Sequence, residues 1–175
     1  RKTSKTKEAT VTFQHRAFSF LILLTLASAC VSVNVRPAAP RHAENLKFLE
    51  PASPFQKQSD SAADFVWQSQ KTGNTIAVIS ECKTTMETPL EALETDTINA
   101  MTDPQIVSTS HLTYNDREAI QTTATGLMDG IAIQMKVVTF KKNACNFIPT
   151  YVGRASMVAR EQSTFENFLK GFKAP

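Results

Sequence analysis

The sequence predicts an α+β domain built on one antiparallel β-sheet of about six strands, with helices packed on both faces. Six runs rich in β-branched and aromatic residues are separated by tight turns, which favours antiparallel neighbours. Two further segments space their apolar residues as an amphipathic helix does and begin with a helix-capping pattern. Two of the strand-like runs are apolar at both alternating positions, so we expect a helix against each side of the sheet.

The six strand-like runs lie close together along the chain, at 65–70, 75–82, 105–115, 118–127, 131–142 and 145–154. Gly73-Asn74 and Asp129-Gly130 are dipeptides typical of hairpin turns. The second and fifth runs are the two that are apolar at both alternating positions. Pro149 lacks a backbone N–H, which predicts a bulge or an edge position for the last strand.

Two helices are predicted, one inside and one after the series of strands. The first follows Thr88-Pro89-Leu90-Glu91, a capping box with proline at the first helical position, and runs to about Ala100. The second begins at Ser163, whose capping pattern ends at Glu166. It carries one apolar stripe, which we expect to be core rather than a partner-binding face: Phe165, Phe168, Leu169 and Phe172.

Residues 1–29 read as a secretory leader. A basic stretch precedes an apolar stretch of 13 residues, Ala17 to Ala29. This is short of the roughly 20 apolar residues that a helical membrane span needs. A signal peptide has this layout: a basic region, then a short apolar region, then small residues.

The leader ends in a sequence that resembles the lipobox of bacterial lipoproteins, Leu26-Ala27-Ser28-Ala29-Cys30. The resemblance implies that Cys30 receives a diacylglyceryl group and an amino-terminal acyl chain after the leader is cut off. The strictest lipobox has leucine where Ala27 stands, so a plain secreted protein and an uncleaved anchor remain as alternatives. Among lipoproteins of bacteria with two membranes, a residue such as Val31 after the cysteine suggests the outer membrane.

Residues 30–62 are interpreted as a lipidated cysteine followed by a flexible tether. Half of the chain's eight prolines lie here, at positions 37, 40, 51 and 54, with alanine and serine between them and no glycine. A short apolar stretch at Leu46, Phe48 and Leu49 either forms one turn or docks on the domain. The folded domain is expected to span 63–175.

The formal net charge of +3 is unevenly distributed. The first 29 residues hold five basic side chains and one acidic one. The whole chain has 19 basic and 16 acidic side chains, so residues 30–175 hold 14 basic and 15 acidic ones. The body of the protein therefore lacks the basic excess that would attract nucleic acid. Its membrane contact is expected through the lipid on Cys30.

The cysteine count supports lipidation. Three cysteines are present, and an odd number in an exported protein needs an explanation. If Cys30 carries lipid, Cys82 and Cys145 can pair in an oxidising compartment. The bridge would close a loop of roughly 64 residues, which the chain-entropy model values at about 4 kcal/mol. The alternative is two buried free thiols.

Residues able to carry chemistry are sparse. His111 is the one histidine of the domain, and strand alternation places it on a polar face, where we expect it to be solvated or structural. A group of carboxylates surrounds the first helix, where the helix dipole favours them, with calcium binding as the alternative: Glu87, Glu91, Glu94 and Asp96. The five glycines are too scattered for a phosphate-binding loop, and no zinc motif occurs. We therefore predict no catalytic residue, no metal and no cofactor.

The domain resembles a group of bacterial lipoproteins with a PsbP-like fold, an antiparallel sheet between helices. The resemblance rests on Trp67 and on the stretches KTGNTIAVISEC, TGLMDGIAIQMKVVTFKKNACNFIPTYVG and FENFLKGF, and it covers residues 63–173. None of these motifs is catalytic. The resemblance implies a non-enzymatic binding or assembly-accessory module with an envelope protein or a small ligand as its partner; the alternatives are a small-ligand carrier and an enzyme of unrecognised class.

Overall fold

A computed structural model of the protein describes residues 41–59, 61–82 and 88–175. The leader, Cys30, the first part of the expected tether and Glu87 lie outside the described residues. Within them, the strands are β1 (Phe55–Gln58), β2 (Phe65–Ser69), β3 (Thr75–Cys82), β4 (Thr102–Tyr114), β5 (Arg117–Met128), β6 (Ile131–Lys142) and β7 (Cys145–Arg154). The helices are α1 (Leu90–Ile98), a short 3-10 helix (Val158–Glu161) and α2 (Gln162–Gly171).

All seven strands form one antiparallel sheet in the order β1-β2-β3-β7-β6-β5-β4. The predicted single antiparallel sheet is confirmed, and it has seven strands where about six were predicted. The additional strand is β1, which pairs with β2 from Phe55 opposite Ser69 to Gln58 opposite Val66. A run of four residues with mixed polarity carries no alternation that sequence alone could detect.

Pro149 lies in the interior of the sheet, so the predicted bulge or edge position is wrong. It pairs opposite Val78 in a β3–β7 ladder that continues without a register shift from Thr75 to Cys82. On its other side, the pairs recorded between β6 and β7 stop at Val137 and resume at Phe140. Because Pro149 has no N–H to donate, the ladder between β6 and β7 has a local gap at this position.

Neither predicted capping box forms. α1 begins at Leu90, Pro89 is its cap residue, and no side chain caps the helix. The 3-10 helix leads directly into α2, so Ser163 lies inside the first helical turn rather than ahead of it. The Glu166 carboxylate instead accepts a hydrogen bond from Gln162 Nε2 at 2.8 Å. The preceding 3-10 turn supplies the helix start that a serine cap would otherwise provide.

The larger core cluster joins α2 to one set of strand side chains. The apolar stripe of α2 is buried there, as its spacing predicted. The buried members of this cluster are Phe55, Trp67, Ile76, Val78, Ala119, Val138, Phe140, Phe147, Tyr151, Val158, Phe165, Phe168, Phe172 and Ala174.

A second cluster joins α1 to the alternate positions of the same central strands. Its buried members are Ile98, Met101, Ala124, Ile133, Met135 and Val137. In β6, Val137 belongs to this cluster and Val138 to the larger one. Successive strand residues point to opposite sides of a sheet, which explains why β6 is apolar at both alternating positions.

Residues 41–58 pack on the sheet, so the structure differs from a flexible tether that extends to residue 62. The Phe48 ring lies 4.7 Å from Phe65, 5.4 Å from Trp67 and 5.8 Å from Phe168, measured between centroids. Backbone bridges join Arg41 to Cys82 and Lys47 to Lys173. The apolar stretch that contains Phe48 thus docks on the domain.

A buried polar network holds the 3-10 helix against the turn between β2 and β3. The side-chain amide of Asn74 donates to the Tyr151 hydroxyl at 2.9 Å and to the Glu161 carboxylate at 3.0 Å. Ser69 also donates to Glu161, at 2.8 Å, and Tyr151 donates to a backbone carbonyl of the 3-10 helix. A Cβ at Gly153 would lie 2.0 Å from Asn74 Oδ1, so only glycine fits beside this amide.

The structure joins Cys82 and Cys145 in a disulfide with a Cα–Cα distance of 4.0 Å. The two cysteines are directly opposite each other, at the last position of β3 and the first of β7. The pairing that the cysteine count suggested is therefore present in the structure. The bridge links segments 63 positions apart in the chain.

We expect Phe48→Ala to lower the free energy of unfolding by about 2 kcal/mol, because it removes a partly buried ring from the aromatic cluster. The measurement is urea unfolding followed by tryptophan fluorescence. Leu49→Ala is the matched control, since Leu49 is 77% exposed and its loss should change the free energy by less than about 0.5 kcal/mol. Equal stability of the two variants would show that the Phe48 ring does not stabilise the domain.

Replacing both Cys82 and Cys145 with alanine should lower the free energy of unfolding by about 4 kcal/mol, because the unfolded chain gains the freedom of an open loop. Circular dichroism should show an unchanged fold. A reductant should destabilise the wild-type protein and leave the double variant unaffected. Wild-type stability that is insensitive to reductant would contradict a bridge that closes this loop.

Stability should also fall at alkaline pH through Tyr151. Burial, reinforced by the nearby Glu161 carboxylate, raises the pKa of Tyr151 from 10.0 to about 12. Between these values the unfolded chain has lost the phenolic proton that the folded protein keeps, so unfolding is favoured as the pH rises. Urea midpoints at about pH 9 and pH 11 should therefore differ more for the wild type than for Tyr151→Phe. Equal pH dependence of the two proteins would contradict this role for Tyr151.

Candidate functional site

His111 lies on β4 and is exposed to solvent, as its strand position predicted. Its Nδ1 atom is 3.8 Å from Glu118 Oε1, and both side chains are more than half exposed. A pair this open to water has no buried base or fixed geometry that could activate a nucleophile. Within residues 41–59, 61–82 and 88–175, no three metal-ligating side chains are grouped closely enough to hold an ion.

The acidic residues of α1 do not share one environment. Glu91 and Asp96 are exposed, as predicted for a solvated helix face. Glu94 is half-buried and accepts a hydrogen bond from the Thr122 hydroxyl of β5. Thr122 also lies 3.0 Å from the Thr109 hydroxyl of β4. These contacts connect α1 through β5 to β4. The spacing of residues in the sequence could not reveal this role of Glu94.

β4 forms one edge of the sheet and is the most exposed of its long strands. It has 13 residues, and none of them is fully buried. From Gln105 to Tyr114 its only ionisable groups are His111 and the Tyr114 phenol. The opposite edge, β1, has four residues and includes Lys57. Charged side chains, proline, bulges or a very short length prevent unwanted pairing of an edge strand. β4 has Asp103, Pro104 and its register shifts before Ser108, whereas Ser108–Tyr114 has none of these protections.

An apolar corner lies where β4 begins and the β5–β6 hairpin turns. Ile106 and Val107 of β4 are 56% and 61% exposed. Three neighbouring hairpin side chains are also exposed: Leu127, Met128 and Ile131. They belong to this corner because Leu127 pairs opposite Thr102 and Met128 opposite Ile131. We refer to these five side chains as the apolar corner. Leu127 and Met128 are neighbours in β5 and point to opposite faces, so the corner exposes apolar surface on both sides of this end of the sheet.

A groove of about 360 Å³ lies between α1 and β4. α1 and the residue after it contribute Glu94, Thr95, Ile98 and Asn99 to its walls, and β4 contributes Pro104, Ile106 and Thr109. Ile106 belongs to both the groove and the apolar corner, so the two surfaces are continuous. The candidate binding surface is thus the exposed edge of β4 together with this groove and corner.

A second groove, of about 490 Å³, lies between the sheet and α2. Its floor is apolar, but its rim carries charges of both signs, from Asp116, Glu166, Lys170 and Lys173. Burial raises the pKa of the Tyr114 phenol in its wall, and the hydroxyl donates to the Leu169 carbonyl at 2.6 Å. Tyr114 is thus held as a neutral structural donor. This groove lacks the largely apolar lining expected of a carrier for an apolar ligand.

No helix among the described residues is long and apolar enough to cross a membrane. No known protein family and no curated protein matches the chain by sequence.

Solved structures match it by fold. Cyanobacterial PsbP, CyanoP, from Synechocystis sp. PCC 6803 superposes with a TM-score of 0.55 at 10% identity, covering 81% of this chain and 96% of that one. LpqN of Mycobacterium tuberculosis, a protein involved in cell envelope biogenesis, superposes with a TM-score of 0.56 at 13% identity, covering 81% of this chain and 88% of that one. The described domain therefore has a PsbP-like fold, as the sequence predicted.

Proposed function

We propose that the chain is a lipid-anchored, exported protein of the bacterial cell envelope whose domain is a non-enzymatic binding or assembly-accessory module. The observation that carries the binding role is the long, exposed edge strand β4, uncharged apart from His111 over its last ten residues, beside the apolar corner. Such a surface favours association with another protein. The fold supports the same conclusion, because LpqN, which shares it, takes part in envelope biogenesis.

The proposed anchor is lipid on Cys30. Its support is the apolar run that ends in Ala-Ser-Ala-Cys and the pairing of the other two cysteines, which leaves Cys30 as the odd thiol. One acyl chain binds membranes only marginally, whereas two or three anchor a protein stably. Val31 supports the outer membrane of a two-membrane envelope, with the domain facing the periplasm.

The proposed architecture is a layered sandwich with α1 and α2 against opposite sides of the sheet. Its support is the alternation in β6, where Val137 contacts the cluster of α1 and Val138 the cluster of α2. Adjacent residues of a strand point to opposite sides of the sheet, so Val137 and Val138 face different helices. The apolar surface of both helices is then buried by one sheet.

Mass spectrometry of the mature protein should find a chain that begins at Cys30 and carries added lipid mass. Cys30→Ser should release the protein from the membrane fraction, because the thiol that accepts the lipid is lost. Ser32→Ala is the matched control and should remain with the membranes. An unmodified amino terminus, or a chain that starts elsewhere, would overturn the anchor.

The binding role is tested by chemical cross-linking in intact cells, followed by purification of the membrane-tethered protein. We expect a defined envelope partner to be recovered with the wild type and reduced with Cys30→Ser, which remains folded but is no longer held beside its partner. If the wild-type protein is recovered with no specific partner, the proposed binding role is wrong.

A further inference from the structure

The exposed strand, the groove and the local charge together specify one kind of partner. We propose that the domain binds an extended segment of another protein, apolar at alternate positions and flanked by basic residues, by adding it to the sheet at β4. Alternate apolar side chains of that segment enter the groove between β4 and α1. This inference rests on the proposed binding function and names its partner class.

The regular part of β4 is long enough to pair with such a segment. Its ladder with β5 has register shifts before Ser108 and continues without interruption from Ser108 to Tyr114. Seven residues of strand span about 23 Å. The outer N–H and C=O groups of this stretch are not paired with any described strand, because β4 ends the order of the sheet. An added strand would satisfy these groups with backbone hydrogen bonds.

The groove explains how side chains of the segment would be selected. It runs beside β4, with Ile98 on the helix side and Pro104 and Ile106 on the strand side. The groove borders Pro104, Ile106 and Thr109 of β4, so the end of an added strand that continues past Ser108 lies beside it. Every second side chain of that end points to the face on which the groove lies. A volume of about 360 Å³ lies within the range of small-ligand sites and can receive apolar side chains.

The charge around the groove sets the preference for basic flanks. Residues 88–104 contain four carboxylates and no lysine or arginine: Glu91, Glu94, Asp96 and Asp103. Basic residues near the ends of a bound segment would complement this charge, and acidic ones would be repelled. The carboxylate of Glu94 lines the groove and is oriented by Thr122.

A second copy of this chain is a poorer occupant of the same edge. Pairing β4 with another β4 would bring no lysine or arginine of that strand to the groove, since Thr102–Tyr114 contains neither; the nearest, Arg117, belongs to β5. The charge of the groove therefore favours a partner of different sequence.

The first test places a photoreactive amino acid in the full-length chain, in its native cells, at Ile106, at Val107 or at Leu49. Leu49 is the control, because it is the most exposed of the large apolar side chains among the described residues and belongs to neither the groove nor the corner. We expect cross-links from Ile106 and Val107, and not from Leu49, to one partner segment. Sequencing of the cross-linked peptide should show alternating apolar residues with lysine or arginine near its ends.

The second test measures the affinity of that segment, synthesised as a peptide, for the purified protein. Val107→Lys should weaken binding about tenfold or more, through repulsion of the basic flank and loss of an apolar contact. Leu49→Lys should leave the affinity unchanged. Glu91→Gln combined with Asp96→Asn should weaken binding and reduce its dependence on salt.

The outcomes separate this inference from the proposed function. Cross-links from Ile106 and Val107 only to a second copy, or only to lipid, would overturn the inference. So would a captured segment that is acidic or lacks apolar alternation. If a specific partner is recovered from cells but cross-links through Leu49 alone, the binding role stands and recognition at β4 is wrong. If no specific partner is recovered at all, the proposed function itself fails.

Discussion

The pairing of β3 with β7 is the contact on which the rest of the structure depends. β1, β2 and β3 form one antiparallel group, and β4 to β7 form another. Only the β3–β7 ladder makes a single sheet of them, through eight opposed pairs from Thr75 and Val152 to Cys82 and Cys145. Pairing strands this far apart in the chain carries a large loop-closure cost, which the disulfide reduces by restricting the unfolded chain.

The two helices depend on that ladder in different ways. α2 buries its stripe against strands from both groups, including Trp67 of β2 and Phe140 of β6, so its site exists only when the groups have joined. α1 packs mainly on β5 and β6, and Ile148 and Val152 of β7 pack against the same cluster. The surface proposed for binding lies on the part of the sheet that contains α1 and β4, away from the ladder that unites the domain. The binding edge can therefore vary in sequence without altering the central pairing.

Local signals in the sequence predicted much of the fold. Hairpins at Asp129-Gly130 and Gly73-Asn74 were recognisable because positive φ angles favour these residues, and Gly73, Asp129 and Gly130 adopt them. The boundaries of β3, β6 and β7 matched their runs of apolar and β-branched residues. The short strand β1 and the early start of β4 at Thr102 were missed, since their pairing comes from neighbours distant in sequence rather than from alternation of their own.

The candidate site was less accessible to sequence reasoning than the fold. The exposure of Ile106 and Val107 depends on β4 being the last strand of the sheet, and strand order is not written in any local pattern. The hydrogen bond between Glu94 and Thr122 requires α1 to lie across β5. The spacing of residues along α1 does not predict where the helix lies on the sheet. The absence of lysine and arginine from 88–104 was visible in the sequence, but it acquires meaning only once Glu94, Thr95, Ile98, Asn99 and Pro104 of this stretch are found to line the groove.

The position at which the chain enters the sheet has a mechanical consequence. The first backbone bridge after residue 40 is from Cys82 N–H to the Arg41 carbonyl, at 2.7 Å, and Cys82 is covalently joined to Cys145. A tension applied to the chain at Arg41 therefore reaches the sheet beside a covalent cross-link. From that end the hydrogen bonds between β3 and β7 cannot break one after another, because the disulfide keeps Cys82 and Cys145 together. The disulfide thus keeps the ends of β3 and β7 together at the point where the chain meets the sheet, while residues 41–58 are held there by non-covalent contacts alone.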